Sequence, residues 1–187
     1  AAEAFVVGRA AAVIVTTRAM KAKLVDQYGV AEEKITVLSN YVPDSFAPEG
    51  PKVTRANADF TVMSVGRHEP QKNYPLLIEA LAGIPGGRWL AVGSGNEVDK
   101  HRALAAEAGL TAEFVPRVAN EDLPVLLRAA DAYVMCSTWE GHPKALLEAM
   151  ACGCACVATR APGVTEEIED GRTGLLTEPE PAALRMA

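Results

Sequence analysis

Short apolar segments alternate with segments of helical periodicity over most of this chain. Six runs are apolar on both faces, as buried parallel strands are, and they cover residues 60–65, 88–92, 112–115, 132–136, 154–158 and 174–177. Apolar residues recur with helical spacing between these runs, at 74–81, 97–108, 121–129, 143–151 and 163–169. This alternation predicts an α/β domain, with a doubly wound, Rossmann-like parallel sheet flanked by helices.

Residue types at the ends of these segments strengthen the helix predictions. Asn73 and Asn120 stand where N-caps are expected, because a short polar side chain can accept a hydrogen bond from a free amide of the first turn. Pro143 fits a first helical turn. Gly109 and Gly153 are expected to end helices, since glycine readily adopts the left-handed conformation found there.

The first 50 residues follow a different pattern. Two short apolar runs, at 11–15 and 35–38, flank a helical segment at 18–28 that ends at Gly29. The stretch that follows is rich in proline and glycine, as linkers are. We therefore expect three parts, namely the incomplete tail of a preceding domain, a linker, and a ligand-binding domain truncated at its C-terminus, at residues 1–38, 39–55 and 56–187.

Composition and charge narrow the function classes. A chain of 187 residues that is 49% apolar can form a sizeable core, and its net charge of −6 argues against general nucleic-acid binding. The apolar runs are far shorter than the roughly 20 residues of a membrane span, and we find no signal peptide, so we expect a cytoplasmic setting. The cysteines suggest small core residues rather than a disulfide framework or a metal site; they are Cys136, Cys152, Cys154 and Cys156.

The predicted topology brings polar residues from distant segments to one crevice. In a sheet of order 3-2-1-4-5-6, strands 1 and 4 are neighbours, and ligands bind beyond their carboxyl ends. Strand 1 is followed by Arg67 and Lys72, and strand 4 is followed by Glu140. A second acid, Glu148, is the only charge in the apolar helical run 145–150, and a buried carboxylate requires hydrogen-bond partners.

This combination suits a nucleoside diphosphate that carries a sugar. Arg67 and Lys72 would bind the diphosphate, and the two carboxylates would accept hydrogen bonds from hydroxyl groups. Amide groups at the start of the helix after Pro143 would add positive potential for the anion. The competing interpretations are solvated loop cations, an acid at position 140 that neighbours a helix start, and a structural ion pair at Glu148.

Other motifs give weaker signals. Gly93 and Gly95 follow strand 2 and begin a dinucleotide-binding pattern, but the third glycine of that pattern is missing, which disfavours hydride transfer. His142 either faces the substrate or fills the turn. His68 and His101 are expected at the surface.

Two segments carry a resemblance to a known family. The sequence Gly-Arg-His-Glu-Pro-Gln-Lys-Asn-Tyr-Pro-Leu-Leu-Ile-Glu-Ala occupies residues 66–80, and Glu-Gly-His-Pro-Lys-Ala-Leu-Leu-Glu-Ala-Met-Ala-Cys-Gly occupies residues 140–153. Together they resemble the donor-binding half of retaining glycosyltransferases of family 4, which have the two-domain GT-B fold. The resemblance extends to residues 35–44 and 167–176. It implies that residues 1–38 belong to an acceptor-binding domain and that the remainder after the linker binds the donor.

The resemblance implies transfer of a hexose from a UDP- or GDP-linked sugar to an acceptor hydroxyl, with retention at the anomeric carbon and without a metal ion or other cofactor. It assigns catalytic roles to Arg67, Lys72 and Glu140. The implied donor-binding residues are Gly66, Arg67, Lys72, Val118, Asn120, Glu140, Gly141, His142, Lys144, Leu147 and Glu148. His142 and Ala155 depart from the phenylalanine and proline that are common in the family.

The implied partners are a nucleotide-sugar and a glycan or glycolipid acceptor, in polysaccharide, lipopolysaccharide or glycolipid synthesis. No nucleic-acid partner is expected, and peripheral membrane contact is left open. Two alternatives remain, a non-catalytic nucleotide-sugar-binding module and an epimerase or phosphorylase with the same fold. Because catalysis in this family requires both domains, we expect the chain alone to transfer little or no sugar.

Overall fold

A computed structural model describes residues 2–54 and 60–187. Its helices and strands, in chain order, are α1 (Ala2–Arg9), β1 (Val13–Val15), α2 (Arg18–Tyr28), β2 (Ile35–Val37), β3 (Thr61–Val65), α3 (Tyr74–Ala82), β4 (Arg88–Val92), α4 (Val98–Glu107), β5 (Thr111–Val115), α5 (Leu123–Ala129), β6 (Ala132–Met135), α6 (Lys144–Ala151), β7 (Ala155–Thr159), β8 (Leu175–Thr177) and α7 (Pro181–Met186). Short 3-10 turns occupy Glu32–Lys34 and Pro70–Lys72.

The main sheet has six strands in the order β5-β4-β3-β6-β7-β8, and every strand pair in it is parallel. Numbered along the domain, this is the order 3-2-1-4-5-6, so the predicted doubly wound fold is confirmed. The chain runs outward from β3 in one direction and then returns to its other side at β6. The crevice between the loops after β3 and β6 therefore lies where the winding reverses.

Side chains on the two faces of the sheet form two separate apolar clusters. Val62 and Met63 are adjacent in β3 and enter different clusters, which explains why this strand is apolar throughout. Val62 packs with Leu77 of α3, and Met63 packs with Leu127 of α5 and Leu146 of α6. Full burial of a large apolar side chain contributes about 1.5–3 kcal/mol to stability. Because both faces of the sheet bury such side chains, the helices on each face are held to it by apolar packing.

The predicted helix ends are partly confirmed. Gly109 and Gly153 follow α4 and α6 with φ angles of 67° and 75°, as predicted for helix stops. Asn73 precedes α3 but adopts a left-handed conformation with φ of 50° and makes no side-chain capping bond. The prediction for Asn120 is wrong, because α5 begins only at Leu123 and has Asp122 at its N-cap position.

The short helix predicted at 163–169 does not form. Turns occupy this segment, with Gly163 at a φ of 81°. A Cβ atom at that position would lie 2.0 Å from the carbonyl oxygen of Glu140, so the chain here is shaped by close packing against the loop after β6. Helical periodicity could not reveal this contact.

The N-terminal segment forms a small unit of its own. β1 and β2 pair in parallel, and α2 crosses between them and ends at Gly29 with a φ of 63°, as predicted. Their apolar side chains form a third cluster that contains Leu24 and Ile35. The helix α1 was not predicted. That this unit is the tail of an acceptor domain stays a prediction, and residue 55 of the predicted linker lies outside the described residues.

The prediction that His68 and His101 lie at the surface is wrong. Both side chains are fully buried, and their Nδ1 atoms are 2.9 Å apart in a hydrogen bond. Tyr74 and Trp89 lie against the His68 ring, with centroid separations of 4.8 and 6.2 Å. The helical register of α4 turns His101 inward, toward the loop that carries His68.

The described part of the chain contains no helix that is long and apolar enough to cross a membrane. Three of the four cysteines are buried, and the fourth, Cys154, is half-buried and donates from its thiol to the Leu127 carbonyl. Across residues 2–54 and 60–187, no group of three or more His, Cys, Asp or Glu side chains is arranged to hold a metal ion.

Candidate functional site

A cation and an acid from distant segments meet at the point where the sheet winding reverses. Lys72, in the loop after β3, has its Nζ atom 2.6 Å from Oε1 of Glu140, in the loop after β6. Ser137 donates its hydroxyl to the same carboxylate oxygen at 2.5 Å. Both members of the pair are largely shielded, with side chains 19% and 10% exposed. Their juxtaposition is the one that the topology predicted, whereas the role of Ser137 was not foreseen.

Gln71 joins the two loops next to this pair. Its carbonyl oxygen accepts a hydrogen bond from the Thr138 amide at 2.9 Å, and its side-chain Nε2 donates to the Trp139 carbonyl at 2.7 Å. Lys72 and Glu140 are therefore attached to backbone segments that are already bonded to one another. Sequence reasoning missed Gln71, because its only signal is that it immediately precedes Lys72.

Two glycines allow the loop after β3 to fold tightly against β4. At Gly93, with φ of 143°, a Cβ atom would lie 1.9 Å from the Gly66 carbonyl oxygen. At Gly95, with φ of 157°, it would lie 2.5 Å from the His68 carbonyl oxygen. The Gly66 amide donates to the Val92 carbonyl at 2.9 Å. This Gly-Ser-Gly sequence thus makes room for the loop that carries Lys72, a function that the incomplete dinucleotide pattern did not suggest.

Arg67 lies in the same loop with its side chain 73% exposed, and its Nη1 is 2.8 Å from Oε1 of Glu69. An exposed ion pair of this kind contributes little to stability and exchanges partners readily. The guanidinium can therefore turn toward an anion at small energetic cost. Its predicted role in diphosphate binding stays a prediction.

Helix α6 carries the second acid. Glu148 is 4% exposed, and Lys144, one helical turn earlier, has Nζ 3.3 Å from its Oε1. Burial raises the pKa of Glu148, and the bond to Lys144 opposes that rise only in part. The ionised form of Glu148 is therefore disfavoured even with Lys144 beside it, and a further hydrogen-bond donor would stabilise it. Leu147 is half-buried beside it.

Each ring nitrogen of His142 has a polar side chain beside it. Its Nδ1 lies 3.0 Å from Nδ2 of Asn40, and its Nε2 lies 3.5 Å from Oε1 of Glu167. Only 2% of its side chain is exposed. The neighbouring Gly141 is half-buried.

The residues predicted near the nucleotide base lie in the loop after β5. Val118 is half-buried and packs against the apolar cluster of α5 and α6, whereas Asn120 is exposed. Their contact with a base stays a prediction.

Residues 48–186 match the family Glycosyl transferases group 1. The chain belongs to this family. Among its curated relatives, the D-inositol 3-phosphate glycosyltransferase of Mycobacteroides abscessus is 34% identical over 184 residues, which cover 91% of this chain and 42% of that protein. The lipopolysaccharide core biosynthesis glycosyltransferase LpsE of Rhizobium meliloti is 34% identical over 117 residues, which cover 63% of this chain and 34% of that protein.

Solved structures of glycosyltransferases have the same fold as this chain. Alr3699/HepE of Anabaena, crystallised with UDP and glucose, superposes with a TM-score of 0.87 and 27% identity over 99% of this chain and 55% of its own. Sucrose-phosphate synthase from Thermosynechococcus elongatus superposes with a TM-score of 0.86 and 27% identity over 99% of this chain and 50% of its own. The group 1 chain described here thus has the fold of a GT-B glycosyltransferase domain, and it spans between a third and just over half of these proteins.

Proposed function

We propose that this chain is the donor-binding half of a retaining, metal-independent glycosyltransferase of family 4, which moves a hexose from a UDP- or GDP-linked sugar to an acceptor hydroxyl. The observation that carries the proposal is the Lys72–Glu140 pair, 2.6 Å apart and shielded, at the point where the sheet winding reverses. Membership of the group 1 family supports sugar transfer as the reaction.

The two cations would stabilise the departing diphosphate. Lys72 is already in place beside the crevice, and Arg67 can leave its exposed partner Glu69 to reach a phosphate. Charge that develops on the leaving group during transfer is stabilised by donors held in position beforehand. Because these residues meet the phosphate charge, the proposal needs no metal ion and no further cofactor.

The two acids would bind hydroxyl groups. Glu140, held by Lys72 and Ser137, would contact the transferred sugar. Glu148 would accept hydrogen bonds from the nucleotide ribose, with Leu147 beside it. Such bonds would offset the cost of holding a buried carboxylate ionised, since bonds to a charged group contribute about 1.5–3 kcal/mol each. Structures of Alr3699/HepE with UDP and with UDP-glucose support a nucleotide-sugar as the ligand.

The acceptor side of the proposal rests on the relatives. One of them is named for lipopolysaccharide core biosynthesis and another for glycosylation of D-inositol 3-phosphate, so we propose a glycan, polyol or glycolipid acceptor. Residues 1–38 would belong to the domain that binds it, within a longer protein. We further propose a cytoplasmic location with peripheral membrane contact for that protein.

Calorimetric titration of the chain with UDP, GDP and uridine tests donor binding. We expect one diphosphate to bind, and the substitution Lys72→Met to weaken it roughly 10- to 100-fold while uridine binding changes little. The matched control is Lys100→Met, because Lys100 makes an exposed pair with Glu97 at 2.8 Å and has no contact with Glu140 or Glu148 among its described ion pairs. Absence of binding by every nucleoside diphosphate, or equal loss for UDP and uridine, would refute the assignment of the site.

Retention and metal independence can be tested only by measuring transfer with a longer protein that contains this chain. The proton coupling at the new anomeric centre reports its configuration, and retention predicts the same configuration as in the donor. Transfer should persist after treatment with a strong chelator. An inverted product or a strict metal requirement would contradict the proposed mechanism.

A further inference from the structure

The turn after β7 makes a contact with the N-terminal unit that no predicted function uses. The carboxylate of Glu166 lies 2.9 Å from the amide nitrogen of Arg18 and 2.8 Å from that of Ala19, the first two residues of α2. Both amides donate to it, across separations of 148 and 147 residues. Glu166, which belongs to the part of the chain that forms the main sheet (the sheet unit), therefore caps α2 of the N-terminal unit.

This cap supplies what α2 lacks in its own sequence. Thr17 accepts a hydrogen bond from the Met20 amide at 3.1 Å, but the amides of Arg18 and Ala19 have no acceptor within the helix. The first turn reads Arg-Ala-Met-Lys, which places two cations where the helix dipole favours a negative charge. Glu166 satisfies both amides and provides that charge.

Two further contacts run beside the cap. The Thr16 hydroxyl donates to the Gly141 carbonyl at 3.5 Å, and the Asn40 side chain bonds Nδ1 of His142 at 3.0 Å. With the Asn40 amide as donor, His142 carries its proton on Nε2, the nitrogen that faces Glu167 at 3.5 Å. All three contacts join the first 40 residues to the loop after β6 or to the turn after β7.

The turn that carries Glu166 is itself attached to the loop of the candidate site. The Glu140 amide donates to the Pro162 carbonyl at 2.9 Å, and Gly163 packs so closely that a Cβ atom there would lie 2.0 Å from the Glu140 carbonyl oxygen. Only a few residues of tightly turned chain separate these contacts from Glu166. The helix cap and the backbone of Glu140 therefore belong to one continuous set of contacts.

Within the described residues, the units do not share an apolar core. Val15, Leu24, Val30 and Ile35 form the buried cluster of the N-terminal unit, and none of them enters the two clusters of the main sheet. Phe46 of the linker is buried against the sheet unit instead. Each hydrogen bond between the units contributes only about 0.5–1.5 kcal/mol net, because water can replace it. The orientation of the small unit should therefore depend on its hydrogen bonds.

We propose that Glu166 is a positioning residue that sets the orientation of the N-terminal unit over the loop that carries Glu140. Its carboxylate holds the first turn of α2, and opening of this contact frees the unit to rotate about the linker. The inference goes beyond the proposed function, since it holds whichever nucleotide the crevice binds. In a two-domain transferase, the same contact would set how acceptor-side residues face the donor.

Residual dipolar couplings measured by NMR on this chain test the proposal. In the unsubstituted protein, one alignment tensor should fit the amides of both units. In Glu166→Ala, the units should need different tensors, and hydrogen exchange at the Arg18 and Ala19 amides should speed up roughly ten-fold or more. Glu166→Gln should give an intermediate result, since its single neutral oxygen is a weaker acceptor. Glu107→Gln, an exposed substitution in α4, is the matched control and should behave like the unsubstituted chain.

A second variant removes a donor instead of the acceptor. Arg18→Pro deletes the first amide, and proline suits this position because Thr17, with φ of −135° and ψ of 157°, has the extended conformation that precedes proline. It should also decouple the units in part, whereas Arg18→Ala, which keeps the amide, should not. Should Glu166→Ala fail to fold, Arg18→Pro decides the matter. A single common tensor in the folded cap variants, or separate tensors already in the unsubstituted chain, would overturn the proposal.

Discussion

The buried histidine pair should make this protein sensitive to mild acid. His68 and His101 are fully buried and bonded through their Nδ1 atoms, which requires one ring to donate and the other to accept. Protonation of either ring would place a charge among Tyr74, Trp89 and Phe114. Burial lowers the pKa of both rings, with that of His68 falling from 6.5 to about 4.

The charges around the pair do not cancel this effect. Glu97 faces His101 at 3.7 Å and raises its pKa, but the effect of burial is larger, and Lys100 acts in the opposite direction. Arg102 and the His101 ring lower the pKa of His68 further. The unfolded chain therefore binds protons more readily than the folded chain between pH 6.5 and 4, so stability must fall as the pH falls through this range.

The size of the effect follows from the pKa difference at His68. Between pH 7 and pH 5, a site with a pKa of 6.5 in the unfolded chain and about 4 in the folded protein loses about 2 kcal/mol of unfolding free energy. His101 adds to this loss in the same direction. A loss of this size is a large fraction of the stability of an ordinary domain.

Urea unfolding at a series of pH values measures the loss. The double substitution His68→Gln and His101→Gln keeps polar groups in place but cannot titrate, so its unfolding free energy should change between pH 7 and pH 5 by about 2 kcal/mol less than that of the unsubstituted chain. Leu104→Ala in α4 is the control, since it removes core contacts and lowers stability at every pH without altering the pH dependence. An unchanged pH dependence in the double variant would refute this account.

Three further predictions concern the candidate site. Glu148→Gln should raise the unfolding free energy measured in urea at pH 7, because burial disfavours the ionised carboxyl. The same substitution should weaken UDP binding at least ten-fold. A destabilised variant with intact UDP binding would contradict this prediction. Gly93→Ala should lower the melting temperature by several degrees, since its Cβ would meet the Gly66 carbonyl at 1.9 Å. Gly8→Ala, in α1 with open space around it, should not lower the melting temperature. Gln71→Ala removes only the side-chain bond to the Trp139 carbonyl and should weaken UDP binding several-fold in calorimetry with little change in melting temperature. Unchanged affinity would show that this side-chain bond does not hold Lys72 in place.

Local residue patterns predicted most of the fold. The apolar runs of β3 and β6 indicated strands buried on both faces, and Gly29 and Gly109 marked helix ends by their tolerance of positive φ angles. These signals are local, because the periodicity of side chains and the conformational range of glycine act within a few residues. The sheet order followed from general rules for parallel strands, and so did the expectation that Lys72 and Glu140 meet.

Errors and omissions arose where contacts between distant residues overrode local patterns. The segment 163–169 has helical spacing but turns against the Glu140 backbone, and His101 has the polarity of a surface residue but lies in an aromatic cluster. Gln71 and Glu166 look like ordinary surface residues in the sequence. Their partners are backbone atoms, which leave no trace in the residue pattern.

The sequence by itself determined most of the strands and helices of this protein, their order in the main sheet, and the pairing of Lys72 with Glu140 across the crevice. Apolar periodicity and the rules of parallel sheets are sufficient for these features, because neither depends on exact atomic positions. Only the tertiary structure decided how the loops hold that pair, why two histidines are buried, and that Glu166 caps α2. Each of these depends on single hydrogen bonds about 3 Å long between residues far apart in the chain, and such bonds form only after the whole backbone has taken its place.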